Sequence, residues 1–375
     1  MTKFKNSLYI EIAKSLSNNF GIDNFDQYRF GDYMGNDNVG ENLKKKIKRL
    51  AKHILNYYPE RQSYILKADE LIDPYIEEFE YIWDNIGETD KELVLSLLAY
   101  RVLGYKKVKL PRNNKAYWQA IETAKSLVDY SDSYDPKFMH FMLHKFNLRK
   151  IDFNINLYFS ESRVAVDFII EQYAYKLNGQ VLVEAEKNDV VLDLGGCWGD
   201  TALYFSDKVG LEGKVYSFEF IPDNIKLFNI NTNFNPDLKS IIDLVEHPIS
   251  NKSDQDIYFK DNGPGSKVEF EPFEEQTGTA KTVSIDDFVK LRNLDKVDFI
   301  KMDIEGAEPI ALEGAVETIM KFRPKLAIAI YHSIHDFAKI PKWILSLNLD
   351  YEIFIGHYTI HSEETICFAK PRVKI

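Results

Sequence analysis

Val190-Val191-Leu192-Asp193-Leu194-Gly195-Gly196-Cys197-Trp198-Gly199-Asp200-Thr201 is the stretch that decides the fold of this chain. An apolar run of strand length enters a turn carrying three glycines, and a helix is predicted directly after it, over Asp200–Val209. Gly195 and Gly199 let the backbone approach a ligand closely. The first N–H groups of the helix offer partial positive charge to an anion such as a carboxylate. A dinucleotide site asks for G-x-G-x-x-G, and here the third and sixth positions are Cys197 and Asp200. The loop therefore suits a nucleotide-like cofactor without a pyrophosphate, and a nicotinamide-dependent oxidoreductase stays a minor alternative. Asp193, two residues before the first glycine, is placed to orient the loop and to accept from an ammonium group or bound water.

Working outward, further strands are predicted at Lys214–Phe220, Ile242–Glu246, Asp298–Asp303 and Lys325–Tyr331, with helices at Asp223–Asn233, Ile285–Leu291 and Pro309–Lys321. Strands alternating with helices imply right-handed crossovers and a mainly parallel sheet covered on both faces. Tyr351–Ile355 and Thr365–Ala369 are expected as antiparallel strands at its edge. Ligands of such sheets bind beyond the carboxyl ends of the strands. That places Glu219 in the same crevice as the glycine loop, able to accept both hydroxyls of a ribose, with Phe220 beside it to cover a base. It also places Asp303 there, in Met302-Asp303-Ile304-Glu305-Gly306-Ala307-Glu308. Acids kept at such a site need a task, because an unpaired buried carboxylate costs several kcal/mol or more. Gripping an ammonium, holding a divalent cation or positioning a hydroxyl would each serve. Glu308, just before Pro309, reads as an acid favoured by a helix N-terminus.

The N-terminal part reads differently. Leu43, Ile47, Leu50, Ala51, Ile54 and Leu55 recur at helical spacing, with Lys44, Lys45, Lys46, Lys48 and Arg49 on the remaining, solvated faces. Glu92–Leu103 is apolar almost all round and should be buried. Ala116–Asp129 and Pro136–Phe146 are also predicted as helices, which would put His140 and His144 one turn apart, although a metal-binding helix would be expected to add a Glu of the HExxH kind. Residues 1–160 are thus expected as a mainly α-helical domain of unassigned purpose, and 161–375 as the cofactor-binding α/β domain.

The whole chain has 375 residues, 45% of them hydrophobic, and a formal net charge of 47 − 58 = −11. No apolar stretch approaches the roughly 18 residues of a membrane span; the longest resemble Leu93–Leu98. Glu11 arrives before an apolar core of signal-peptide length could form, and two cysteines, Cys197 and Cys367, make no disulfide framework. A cytoplasmic location is expected, with neither membrane nor nucleic acid as partner, given a pI near 5.4. Self-association is left open.

In the glycine loop and the strand ends the sequence resembles the FkbM-type methyltransferases, a branch of the class I S-adenosylmethionine-dependent enzymes. The resemblance is carried, in order, by VVLDLGGCWGDTALYF (190–205), VYSFEFIPDNIKLFNINTNFNP (215–236), TVSIDDFV (282–289), DFIKMDIEGAEPIALEGA (298–315) and RPKLAIAIYH (323–332). It implies a Rossmann-like sheet, S-adenosylmethionine as methyl donor, and a hydroxyl as acceptor, often that of a sugar in a glycan, capsule or natural-product precursor. An N-methyltransferase on the same fold is the alternative. By the same resemblance Asp193, Gly195, Gly196, Cys197, Gly199, Asp200 and Thr201 would form the loop around the methionine end. Glu219 would hold the ribose, Phe220 and Ile221 would flank the adenine with Asn224 nearby, and Asp303 would lie beside the sulfonium and acceptor. The chain departs from the family pattern at Ala329, where a Glu is common, so neither the base nor a metal set is carried over.

An alcohol is a weak nucleophile, so a base or a metal should help remove its proton. His332, at the C-terminal end of the strand Lys325–Tyr331, is the favoured general base. His361, on a late loop, is second, and His357 and His335 follow. A divalent metal held by Asp303 with Glu305 or His332 is a lesser route, and no metal site is assigned. Tyr173 is expected to help close the cofactor pocket, and Asp261–Ser266 to form either a turn or part of a lid.

Overall fold

The structure is a computed structural model and describes residues 2–34 and 60–372. The basic helix expected around Leu43–Leu55 lies outside the described residues. Among them, α-helices of six or more residues are α1 (Lys3–Ser15), α2 (Arg61–Ile72), α3 (Ile76–Asn85), α4 (Glu88–Leu103), α5 (Lys115–Lys125), α6 (Asp200–Val209), α7 (Pro222–Asn233), α8 (Ile285–Leu291), α9 (Glu308–Glu313), α10 (Val316–Phe322) and α11 (Ile334–Ser346). The strands are β1 (Val128–Tyr134), β2 (Leu143–Asn147), β3 (Asn156–Phe159), β4 (Tyr175–Leu177), β5 (Gln180–Val183), β6 (Val190–Leu194), β7 (Lys214–Phe218), β8 (Ile242–Val245), β9 (Asp256–Lys260), β10 (Lys267–Glu269), β11 (Gly278–Lys281), β12 (Phe299–Met302), β13 (Lys325–Ala329), β14 (Tyr351–His357) and β15 (Thr365–Pro371).

Seven strands form the central sheet in the order β14-β15-β13-β12-β6-β7-β8. β8, β7, β6, β12 and β13 pair in parallel, while β15 is antiparallel to both β13 and β14. The Rossmann-like sheet implied by the sequence is present, with its antiparallel pairing at the edge. The order reverses between β6 and β12, and a crevice opens at the carboxyl ends on either side of such a switch point. β6 and β12 are buried on both faces, which is why they read as continuous apolar runs.

Alternate residues of these strands serve two apolar clusters. Leu192, Leu194, Ile300, Met302, Leu326 and Ile328 pack with Phe4, Leu8, Leu97 and Leu98 of α1 and α4, and with Phe337 of α11. Val191, Val215, Phe299, Ala327 and Phe368 face the other way, onto Tyr117 and Ile121 of α5, Phe146 of β2, and Leu203 and Phe205 of α6. The N-terminal helices thus share their core with the sheet.

The helix expected at Pro136–Phe146 is absent. Its last residues form β2, which pairs antiparallel with β1 and with β3. His144 therefore lies on a strand, and His140 precedes it in an irregular segment, so the one-turn spacing that would bring them together does not exist. The helix predicted at Pro309–Lys321 is divided into α9 and α10 at Gly314 and Ala315, where the Gly314 carbonyl accepts from the Asp286 amide at 2.8 Å and a Cβ on Gly314 would lie 2.5 Å from the Ser250 carbonyl oxygen. No helix among the described residues is long and apolar enough to cross a membrane.

Candidate active site

The glycine loop owes its shape to a buried ion pair. Lys301, in the middle of β12, lies 3.2 Å from Asp193 Oδ1 and donates to the carbonyl oxygens of Gly195 at 2.6 Å and Leu194 at 3.3 Å. Asp193 also accepts from Ser217 Oγ at 2.7 Å and from Thr201 Oγ1 at 2.9 Å. Asp193 is 0% exposed and lines neither of the two cavities beside the loop, and its oxygens are taken up by Lys301, Thr201 and Ser217, so it braces the loop and leaves none for the ammonium of a cofactor. Burial opposes the charge on Lys301, but Asp193 and Asp303 hold its pKa above the ordinary lysine value. Gly195 has φ 90° and a Cβ there would sit 2.0 Å from the Asp303 carbonyl oxygen; on Gly196 it would sit 2.1 Å from Ser217 Oγ. The tips of β6 and β12 touch backbone to backbone, which only glycine permits. Gly196 and Gly199 face neither cavity; Gly199, with φ 83°, opens α6 against Phe228.

On one side of this contact lies a largely apolar cavity of about 440 Å³, with Glu219 on its wall beside Phe220, Ile221, Ile249 and Phe270. Glu219 Oε1 accepts from the amides of Phe220 and Ile221 at 2.7 and 2.8 Å, and Oε2 from Asn224 Nδ2 at 3.1 Å. Trp198 Nε1 donates in turn to Asn224 Oδ1 at 3.2 Å. Burial, opposed by those donors, pushes the Glu219 carboxyl up to about 7. The connection between β9 and β10, expected as a turn or part of a lid, is a turn that borders both cavities. Gly263, Pro264 and Ser266 wall this cavity, and Gly265 joins Pro264 in walling the next.

On the other side lies a more polar cavity of about 530 Å³. It is lined by Cys197, Asp200, Thr201, Tyr173, Tyr331, His332 and His361, and also by Arg29, Arg101 and Arg163. Burial raises the Asp200 carboxyl to about 6 and pushes the Cys197 thiol up, so Cys197 is no thiolate nucleophile. Arg163 pairs with Asp167 at 3.0 Å and Glu364 at 2.6 Å, and Arg29 with Glu363 at 2.6 Å. Arg101 donates to the Tyr331 carbonyl at 2.7 Å and has no ion pair among the described residues.

The two cavities share Gly195, Cys197, Pro264, Asp303 and Glu305. Asp303 accepts from Tyr173 Oη and Tyr331 Oη at 3.1 Å each, and its Oδ1 lies 3.1 Å from His332 Nε2. Burial alone would raise the Asp303 carboxyl, but the hydrogen bond and charge of His332, with Lys301 and Arg163 behind, bring it to about 2. His332 Nε2 is also 3.3 Å from Glu308 Oε1. Burial works against its charge, yet the hydrogen bonds it donates to Asp303 and Glu308 raise its pKa to about 11. In this arrangement His332 is an imidazolium at neutral pH, and not the neutral base expected from its place after β13.

His361 Nδ1 is 2.9 Å from Asp26 Oδ2, which ties the late loop to the N-terminal segment and, against the effect of burial, raises the pKa of His361. His357 is buried against Thr365 and lines neither cavity, and His335 sits beside Asp336 away from both.

A family model for the methyltransferase FkbM domain matches residues 183–353. Residues 183–353 are a methyltransferase FkbM domain. The hexuronic acid methyltransferase AglP of Haloferax volcanii is 28% identical to this chain over 185 residues, covering 47% of this chain and 73% of that one. Among solved structures, methyltransferase FkbM from Methylobacillus flagellatus is similar at 20% identity and TM-score 0.41, covering 72% of this chain; this chain spans 65% of that one. The fibrillarin of Aeropyrum pernix with natively bound S-adenosyl-L-methionine is similar at 15% identity and TM-score 0.31, covering 64% of this chain and 96% of its own.

Several residues of the FkbM domain's cleft were not anticipated. Lys301 left a signal, since a lysine inside the buried strand Phe299–Met302 must find a carboxylate. Glu308 does open α9, as an acid favoured by a helix N-terminus, but it is also 0% exposed and turned toward His332. Arg29, Arg101 and Asp26 come from outside the FkbM domain, and only the packing of the N-terminal segments beside it reveals them.

Proposed function

We propose that this protein transfers a methyl group from S-adenosylmethionine to an oxygen of a sugar, an acidic sugar in particular. One observation carries the reading: an apolar cavity with a buried carboxylate and a polar, arginine-lined cavity meet at Asp303. The residues present suit the cofactor. Glu219 is a buried carboxylate with acceptor capacity left for ribose hydroxyls, Phe220, Ile221 and Ile249 offer apolar cover for a base, and Gly195 lets the chain pass close to the junction. The cofactor supplies a methyl group already activated on a sulfonium.

Most of the demand on the protein is then alignment, holding the acceptor oxygen about 3–3.5 Å from the methyl carbon and in line with it. The polar cavity binds the acceptor, the Asp303–His332 cluster receives its hydroxyl, and the loop containing His361, clamped through Asp26, shields the site from water. The similarity to a hexuronic acid methyltransferase supports a sugar acceptor, and Arg101, a cation of the cavity with no carboxylate in ion-pair contact among the described residues, supports an acidic one. Incubation with S-adenosylmethionine and sugar acids, nucleotide sugars and glycan fragments should yield a product heavier by one methylene. Calorimetric titration that detects no S-adenosylmethionine binding to pure protein would sink this reading. Arg101→Ala is expected to raise KM for an acidic acceptor by about tenfold, the worth of one charge-assisted hydrogen bond, with kcat little changed. An equal loss with neutral sugars would remove the acidic preference.

A further inference from the structure

Immediately behind the junction of the two cavities, Asp303, Glu308 and His332 each bring one ligating atom to within 4.8 Å of the others. His332 Nε2 is 3.1 Å from Asp303 Oδ1 and 3.3 Å from Glu308 Oε1. Donors about 2.1 Å from one divalent ion lie about 3.0 Å apart at octahedral angles and about 3.4 Å apart at tetrahedral ones. Both separations fall within that span without any movement of the backbone. Glu308 supplies an independent sign. It is fully buried, its Oε1 accepts from the Ile304 amide at 2.8 Å, and its Oε2 is sealed from water with no hydrogen-bond partner among the described residues. A carboxylate oxygen left that way is costly unless a cation takes it up. The surroundings of Asp303 match those of a ligand: the hydroxyls of Tyr173 and Tyr331 donate to its carboxylate, as outer-shell donors do.

We propose that Asp303, Glu308 and His332 hold a divalent cation of the Mn²⁺ class, which displaces the proton from His332 Nε2 on binding and keeps its remaining coordination positions open toward the polar cavity. One imidazole with two carboxylates is a mixed set that suits Mn²⁺ better than an all-oxygen Mg²⁺ site or a thiolate zinc site. The set differs from the one the sequence offered, because Glu305 projects to the cleft mouth, its side chain 65% exposed, while Glu308 turns inward. The role rests on the methyl-transfer reading. The acceptor hydroxyl takes an open position on the cation, which lowers the pKa of its O–H, and the proton leaves to water at the cleft mouth. The oxygen lone pair forms the new C–O bond while the methyl–sulfur bond breaks, its electron pair remaining on sulfur.

The site can be tested without turnover. Protein stripped with EDTA and free of cofactor and acceptor is titrated with Mn²⁺, and the loss of the free-ion electron paramagnetic resonance signal is followed. One saturable Mn²⁺ per chain is expected, with nitrogen modulation of the bound-ion spin echo reporting the imidazole of His332. Glu308→Gln, which keeps an oxygen for the Ile304 amide, and His332→Ala should each weaken binding at least tenfold. Absence of saturable binding at millimolar Mn²⁺, bound Mn²⁺ without nitrogen modulation, or unchanged affinity in Glu308→Gln would each overturn the proposal. The wild-type spectrum decides the matter even where a variant fails to fold. Methyl transfer that proceeds in EDTA would refute the cation while sparing the methyltransferase reading, and Mn²⁺ binding without any transfer would do the reverse.

Discussion

Glu219→Ala is expected to weaken S-adenosylmethionine binding about a hundredfold. A carboxylate accepting from two ribose hydroxyls makes two hydrogen bonds to a charged group, and at the lower end of their worth, about 1.5 kcal/mol each, the pair gives about 3 kcal/mol, a factor of a little over a hundred. The effect should depend on pH. With its carboxyl at about 7, Glu219 is half protonated in the free protein near neutrality, and only the carboxylate can accept from both hydroxyls. Affinity should therefore fall as pH drops through about 7, and binding near that pH should release about half a proton, measurable by calorimetry in buffers of different ionisation enthalpy. The sign for stability is the opposite. The folded-state value lies above the ordinary 4.5, so the contribution of Glu219 to stability is full below that value and is lost as pH rises through about 7. Cofactor should accordingly raise the melting temperature more at about pH 8 than at about pH 6. An affinity that Glu219→Ala leaves unchanged, or one flat across this range, would place the ribose elsewhere.

Lys301→Met is expected to cost about 3–5 kcal/mol of folding stability, the usual penalty for stranding one partner of a buried ion pair. Asp193 would keep only the hydroxyls of Thr201 and Ser217, and the Gly195 carbonyl would lose its donor. Urea denaturation measures the loss. Combining Lys301→Met with Asp193→Asn should cost less than the sum of the two single changes by about 1 kcal/mol or more, because the second removes the charge the first exposes. Strict additivity would mean that the pair does not act as a unit. Cofactor affinity should fall along with stability, since Lys301 holds the loop that forms the wall between the cavities.

How much of this site could be read from the chain follows from how local each signal is. Gly195 and Glu219 were legible because a strand-end position fixes where a residue goes once the sheet is parallel, and the alternation of strands and helices fixes that. The role of Asp193 was not, because its place before the glycines says nothing of a lysine more than a hundred residues later that takes up its charge. His332 fell in the right place and in the wrong protonation state. Its position follows from β13, while its charge follows from Asp303 and Glu308, which only the packing of β12 and α9 sets against it. The segment Pro136–Phe146 shows the same limit. Phe138, Phe141 and Met142 recur at a helical spacing, but β1 and β3 supply backbone partners to Leu143–Asn147, and pairing between strands outweighs local periodicity.

The parallel sheet, the glycine loop and the carboxylates at the strand tips are written in the chain, since each depends on local patterns of apolar and small residues. Only the tertiary structure decided which charges neutralise one another, that Arg29 and Arg101 reach the cleft from N-terminal segments, and that Glu308 turns inward. Those outcomes depend on distances between residues far apart in the chain, and Coulomb energy and desolvation answer to distance and burial, not to spacing along the sequence.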